Sequence, residues 1–130
     1  MSHDAAGVVT KISPRSFTDT VARFEEIIAG KGLTLFAVID QRAAAVGAAL
    51  DLRDTTLILF GSPAAGTPVM DAVPLAGLDL PLKVLIWAAD GQVNVSYTAP
   101  AEIGRRYDLT DDLTARLAAI GPLTDALVEP

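Results

Sequence analysis

The sequence predicts a two-layer α/β (α+β) domain, a mixed sheet of about five strands with helices on one face. Three observations carry that expectation. Short apolar runs bounded by turn-forming residues alternate with stretches whose apolar residues recur at helical spacing. The dipeptide Asp90-Gly91 joins two strand-like runs and has the composition of a two-residue hairpin turn. At 130 residues the chain fits one domain, 1–130 with 1–6 as a frayed N-terminus, and can bury a core without a disulfide or metal staple.

Taken in order, Gly7–Ser13 reads as a short strand broken by Pro14. Ser16, with Asp19 three residues on, forms a capping-box-like helix start. Phe17, Val21, Phe24 and Ile28 then make one apolar stripe on a helix running to about Lys31, where Gly30 and Gly32 stop it. Leu33–Asp40 is nearly continuous in apolar character and is expected to be a strand buried on both faces. Gln41–Leu50 is Ala-rich and helical, and Thr55–Phe60 is the next strand. Strand, helix and strand suit a right-handed parallel crossover, for which Gln41–Asp54 is a tight length.

Thr67 is a favoured N-cap and Pro68 a favoured first helical residue, so a short helix is expected from there to just before Pro74. The loop Leu75–Pro81 leads into the strand Leu82–Ala89, which returns through Asp90-Gly91 as Gln92–Thr98. That turn sets Ala89 opposite Gln92, Ile86 opposite Val95 and Val84 opposite Tyr97. One face of the hairpin carries Val84, Ile86, Val93, Val95 and Tyr97 and is core. The other mixes Leu85 and Trp87 with Lys83, Asn94, Ser96 and Thr98, and suits neither core nor open surface. Pro100 opens a short helix. A second, Thr110–Ile120, ends at Gly121-Pro122.

Composition excludes several function classes. A net charge of −6, with Arg105-Arg106 as the one adjacent basic pair, argues against nucleic acid and anionic membranes as partners; that pair reads as a solvated helix face. There is no Cys, hence no thiol nucleophile, disulfide or Cys-rich zinc site. The one His, His3, sits in the expected frayed terminus, which leaves no Ser-His-Asp constellation and no His-based metal site. No basic segment precedes an apolar run, and no run reaches the ~18 apolar residues of a membrane span, so a soluble, cytoplasmic protein without metal or cofactor is expected.

Leu57–Met70 reads as a strand, a glycine-bounded turn and a helix start. Such an arrangement aims backbone N–H groups and a helix dipole at one point, a place for a small anion or a carboxylate. Several pieces in order, Phe36–Asp40, Thr55–Met70, Leu78–Lys83 and Val95–Pro100, resemble the bacterial and archaeal family called domain of unknown function 302. The similarity runs from about Phe24 to Leu109. It implies a small α/β domain, usually homodimeric, with no settled activity. The family commonly has a His where this chain has Gln41, and often another where it has Tyr107, so no role resting on those histidines is carried over.

The candidate ligand-binding residues are Gly61, Ser62, Gly66, Thr67, Lys83 and Asp40. Gly61 to Gly66 has the G-x-x-x-x-G spacing of a phosphate-binding loop, but Thr67 and Pro68 stand where Lys and Ser or Thr would follow, and Pro63 lacks an N–H. Nucleotide hydrolysis is therefore not expected, and the bland alternative is a tight turn. Lys83 would supply charge if the sheet brings it near Gly66-Thr67; otherwise its stem lies along apolar surface. Asp40 ends a strand, where α/β sheets often place functional groups, or simply caps a helix. Tyr97 belongs on the core face, and Arg53 is expected to pair with Asp54 or Asp51.

Two function classes follow. One is a non-catalytic homodimeric module, paired through the Leu85 and Trp87 face, that binds a small anionic or amphipathic ligand at Gly61–Thr67 or engages another protein. The alternative is an enzyme of modest acid/base chemistry using Lys83, Asp40 or Tyr97. Convergence separates the two: an enzyme needs at least two of those groups within reach of each other in one pocket.

Overall fold

A computed structural model describes residues 5–130; His3 and positions 1–4 of the expected frayed terminus lie outside the described residues. The chain runs β1 (Val8–Ser13), α1 (Phe17–Gly30), β2 (Thr34–Asp40), α2 (Gln41–Gly47), β3 (Thr55–Gly61), α3 (Pro63–Ala72), a 3₁₀ turn (Pro74–Asp79), β4 (Leu82–Ala89), β5 (Gln92–Thr98), α4 (Pro100–Arg106), α5 (Asp111–Ala115) and α6 (Ile120–Val128). Asp90 and Gly91 both take positive φ, 55° and 74°, as a type I′ turn requires. They set β4 against β5 in the expected register, with Ala89 opposite Gln92 and Ile86 opposite Val95. The five strands form one sheet in the order β1-β5-β4-β3-β2, and the α+β class with helices packed on one face is as expected.

Every strand pair is antiparallel, so the mixed sheet and the parallel crossover are corrected. Length explains the difference. A seven-residue strand is about 23 Å long, whereas α2, also seven residues, spans only about 10 Å and cannot carry the chain back along the sheet. Instead α2 turns the chain at the sheet's end, and β3 returns beside β2. A bulge between Leu35 and Ala37 interrupts that pairing. β2 is also the sheet's edge. Leu35, Phe36, Val38 and Ile39 are exposed, not buried on both faces as their composition implied.

The helix start expected at Thr67-Pro68 lies at Ser62-Pro63 instead. Both pairs spell a helix start, and the chain uses the first: the N–H groups of Ala65 and Gly66 donate to the Ser62 carbonyl, and Pro68 sits inside α3. Gly121-Pro122 likewise does not end a helix. Both lie in the first turn of α6, where the missing proline N–H is tolerated, and the break falls earlier, after α5.

The helix-side core is built as the apolar stripes dictate. Ser16 caps α1 by accepting from the Asp19 N–H at 3.1 Å, and Phe24, Ile27 and Ile28 are buried against Ile58 and Phe60 of β3, Val84 and Ile86 of β4, and Val95 of β5. Phe24 meets Phe60 edge to face, centroids 5.1 Å apart at 88°, a geometry that favours aromatic pairs. Lys11 brings a charge to this side, where Thr20, Thr56 and Thr124 are also buried. It projects from β1 over the Tyr97 ring, and its ammonium donates to the Gly121 carbonyl (3.1 Å) and Thr124 Oγ1 (2.7 Å) and pairs with Asp125 (2.8 Å), tying the first strand to the last helix.

The opposite face of the sheet has no helix on it. Register places Ile39, Leu57 and Leu85 in one row across β2, β3 and β4, with Trp87 in the next. Towards β1 the face turns polar: Thr10 and Ser96 share a hydrogen bond, and the Trp87 indole N–H donates to Ser96 Oγ at 2.9 Å. Leu85 and Trp87 are half-buried, and Asn94 and Ser96 are buried.

Candidate functional site

The early start of α3 rebuilds the candidate loop. Pro63 carries no N–H and those of Ala65 and Gly66 are bonded to Ser62, so few backbone donors remain to hold a naked anion. What forms there is a cavity of about 180 Å³ at the end of β3 and β4. Gly61, Ser62 and Gly66 contribute its loop side. Phe36 closes it from the β2 bulge, Met70 from α3, Leu80 and Pro81 from the segment before β4, and Arg116 and Leu117 from the turn after α5. Gly66 keeps the α3 wall thin: a methyl there would meet Met70 Cε at 3.9 Å. Thr67 is exposed on α3 and outside the cavity lining.

The structure does not bring the remaining candidates to this cavity or to one another. Asp40 caps α2, accepting from the Ala43 N–H at 2.9 Å. Lys83 is on the open face of β4, and its ammonium is 3.9 Å from Asp79. Tyr97 is on the helix side beneath Lys11. Asp40 lies opposite Thr56 and Lys83 opposite Leu59, so those two are also displaced along the sheet and on opposite faces. The convergence that acid/base chemistry through Lys83, Asp40 and Tyr97 would need is therefore missing. Arg53 is not the partner of Asp54 either; Arg42 takes that carboxylate at 2.9 Å.

A charged cluster that the sequence reading did not assemble lies nearby. The Tyr107 hydroxyl and the Arg106 guanidinium (2.8 Å) both donate to Asp79 Oδ2, with Lys83 on the other oxygen. Partial burial pushes the Asp79 carboxyl up, but the hydrogen bonds from Tyr107 and Arg106 and the charges of Arg106 and Lys83 outweigh it and hold the carboxyl below its ordinary range. The same hydrogen bond to Asp79, then burial, raises the Tyr107 hydroxyl. Asp79 thereby anchors the 3₁₀ turn, and with it the Leu80-Pro81 wall of the cavity, to the end of α4. Two signals in the sequence point to this cluster: Asp79 stands four residues before Lys83, for which it or Asp40 is an expected partner, and Tyr107 stands where the resembling family often has His. Among the described residues no group of three or more His, Asp or Glu side chains gathers closely enough to hold a metal ion, and no helix is long and apolar enough to cross a membrane.

Comparison with known proteins gives a fold neighbour and a family. The crystal structure of an uncharacterized conserved DUF302 protein from Bacillus stearothermophilus superimposes with a TM-score of 0.80 at 18% identity, covering 95% of this chain and 97% of that one. At that identity the likeness speaks for the fold alone. Two Brucella proteins, the fluoride-specific ion channel FluC 1 of Brucella suis biovar 1 (strain 1330) and FluC 2 of Brucella melitensis biotype 1, are each 35% identical over 105 residues, 80% of this chain. The matched segment is 41% of the first and 39% of the second, so the chain spans about two fifths of these relatives. The model of the family described as "Domain of unknown function DUF302" matches residues 9–127. From the first strand to the last helix the match follows the whole sheet and its covering helices, and the chain belongs to the DUF302 family.

Proposed function

We propose that this domain is a non-catalytic binding module that works as a homodimer and seats a small ligand beside Gly61, Ser62 and Gly66. The observation that carries the reading is the cavity: it is walled mainly by carbon, and among the described residues Arg116 is the one with a titratable side chain in its lining. A dry, concave, apolar site with few polar groups is the usual form of a small-molecule pocket. An acid/base site would instead gather titratable groups.

The dimer reading rests on the uncovered side of the sheet. Ile39, Leu57 and Leu85 form an apolar row with Trp87 beside it, and the row runs out to the β2 edge, where Ile39 is exposed. An edge strand whose residues 34–39 carry no charge is a pairing hazard unless something covers it. A two-fold copy covers the same patch on both chains at once. Five strands about 4.8 Å apart and six residues long give a face of roughly 24 by 20 Å, so surface beyond the face must join it to reach the ~800 Å² per partner of a standard interface.

Native mass spectrometry of the untagged protein, taken gently from its host, tests both parts. The expected result is a dimer with a reproducible added mass lost on denaturation, and monomers for Leu85→Asp. A monomeric wild type would remove the dimer, and a Gly66→Leu variant that keeps the adduct would remove the site. The Brucella relatives favour placing such a module beside an ion channel, since they carry a similar segment within proteins named as fluoride-specific channels. In that role the added domain would change fluoride efflux from vesicles holding such a channel; unchanged efflux would remove the role.

A further inference from the structure

We propose that the cavity's ligand is a small amphipathic monocarboxylate, with a compact apolar body of about six to eight carbon atoms seated on Phe36, Met70, Leu80 and Leu117 and its carboxylate held by Arg116. The proposal rests on the binding-module reading and adds the chemical class.

Size comes first. A cavity of about 180 Å³ is somewhat larger than the ~150 Å³ apolar cavities known to accept benzene, so the buried body is a single ring or a short alkyl chain and not a nucleotide or a long acyl chain. Chemistry comes next. Two of the described lining residues carry polar groups, Ser62 and Arg116. The Ser62 hydroxyl makes no capping bond to α3 and is available as a donor. Among the described residues Arg116 has one ionic neighbour, Asp112, whose Oδ2 is 3.9 Å from Nε on a largely exposed carboxylate. That contact is too long for a hydrogen bond and leaves the terminal guanidinium nitrogens without an acceptor among the described residues. The guanidinium fork matches a carboxylate in two parallel hydrogen bonds, which a lysine or a hydroxyl would not supply. Among the described residues no Asp or Glu lines the cavity to repel the headgroup. Asp112 competes for Arg116 only from solvent, where an exposed pair contributes little.

The test is isothermal titration of the wild-type protein with straight-chain alkanoates of four to ten carbons and with the matching alcohols. Each buried methylene is worth about fourfold in affinity, so the alkanoate series should climb by that factor per carbon and level off near six to eight. Arg116→Gln should lower alkanoate affinity by roughly tenfold and leave the alcohols unchanged, as expected for loss of a charged hydrogen-bond partner at a partly exposed rim. Alcohols that bind as tightly as the acids, or an unchanged acid affinity in Arg116→Gln, would overturn the carboxylate class while leaving the cavity reading in place. If neither series binds, the monocarboxylate proposal fails, while the binding-module reading stands or falls on the native-mass adduct. A Gly66→Leu variant that binds both series as the wild type does would move the ligand elsewhere and overturn the proposed seat.

Discussion

Replacing Lys11 by Met asks how much a single partly buried ammonium contributes to this fold. Met keeps the length and most of the apolar stem, so the packing of that stem on Tyr97 is largely retained. What disappears is the charge and its contacts: hydrogen bonds to Gly121 O at 3.1 Å and Thr124 Oγ1 at 2.7 Å, the Asp125 ion pair at 2.8 Å, and the cation over the Tyr97 ring at 5.2 Å. A hydrogen bond to a charged group contributes about 1.5–3 kcal/mol. The cation over the ring adds ~0.5–1 kcal/mol. The ion pair, on a well-exposed Asp125, adds at most about 1 kcal/mol. These terms do not simply add, because Thr124 also donates to the Ile120 carbonyl and stays satisfied when the ammonium is gone. The expected cost is therefore about 2–3 kcal/mol, or a fall in Tm of roughly 8–12 °C for a domain of this size. Urea unfolding followed by circular dichroism measures it, with the m-value unchanged. Asp125→Asn is the control and should cost under ~1 kcal/mol. A Lys11→Met loss below about 0.5 kcal/mol would refute the clamp, because it would place the ammonium in water.

The other predictions concern neighbouring parts of the fold. Tyr107→Phe removes a donor to Asp79. Asp79 is held below its unfolded value near 3.8, so its contribution is present above that pH and lost as pH falls through the lower folded value. Tyr107 is raised above 10.0, so its contribution is present below that pH and lost as pH rises through the folded value. The wild type should accordingly exceed the variant in Tm most between about pH 4 and 10, and a pH-independent difference would contradict the pairing. Gly66→Ala, at a helical position with ordinary van der Waals space, should stabilise by ~0.5–1 kcal/mol in thermal melts. Gly104→Ala should do the reverse, by about 1–3 kcal/mol, because its methyl would lie 2.5 Å from Thr114 Oγ1 and 3.2 Å from Cγ2; adding Thr114→Ala should restore most of the loss.

Much of the sheet was legible because its signals are local. Asp90-Gly91 and the alternation around it fixed the β4–β5 register and assigned Val84, Ile86, Val95 and Tyr97 to the core side. Ser16, Asp19 and the Phe24–Ile28 stripe did the same for α1. Signals shared by two outcomes misled. An unbroken apolar strand reads alike whether it is central or an edge that another surface covers, and so β2 was placed inside. Two Ser/Thr-Pro pairs five residues apart both mark a helix start, and only packing selects Ser62-Pro63. The loop side of the cavity was visible in Gly61, Ser62 and Gly66. Phe36 and Arg116 reach it from segments far along the chain, and Asp79 meets Tyr107 across 28 residues, separations at which no local spacing rule operates.

The Lys11 clamp also bears on how the domain is made. Its ammonium bonds Thr124, 113 residues further along, and β1 pairs with β5, which begins at Gln92. In chain order β1 therefore meets its sheet neighbour only after β2, β3 and β4, and the helix that its lysine bonds only after every other described element. Contacts of such separation slow folding, since the intervening loop must close before they form. Until α6 docks, the Lys11 ammonium lacks Gly121, Thr124 and Asp125, and the inner face of β1 lacks its last covering helix. Docking of α6 on β1 is therefore expected among the late steps of folding, a consequence of topology and not of any single contact's strength.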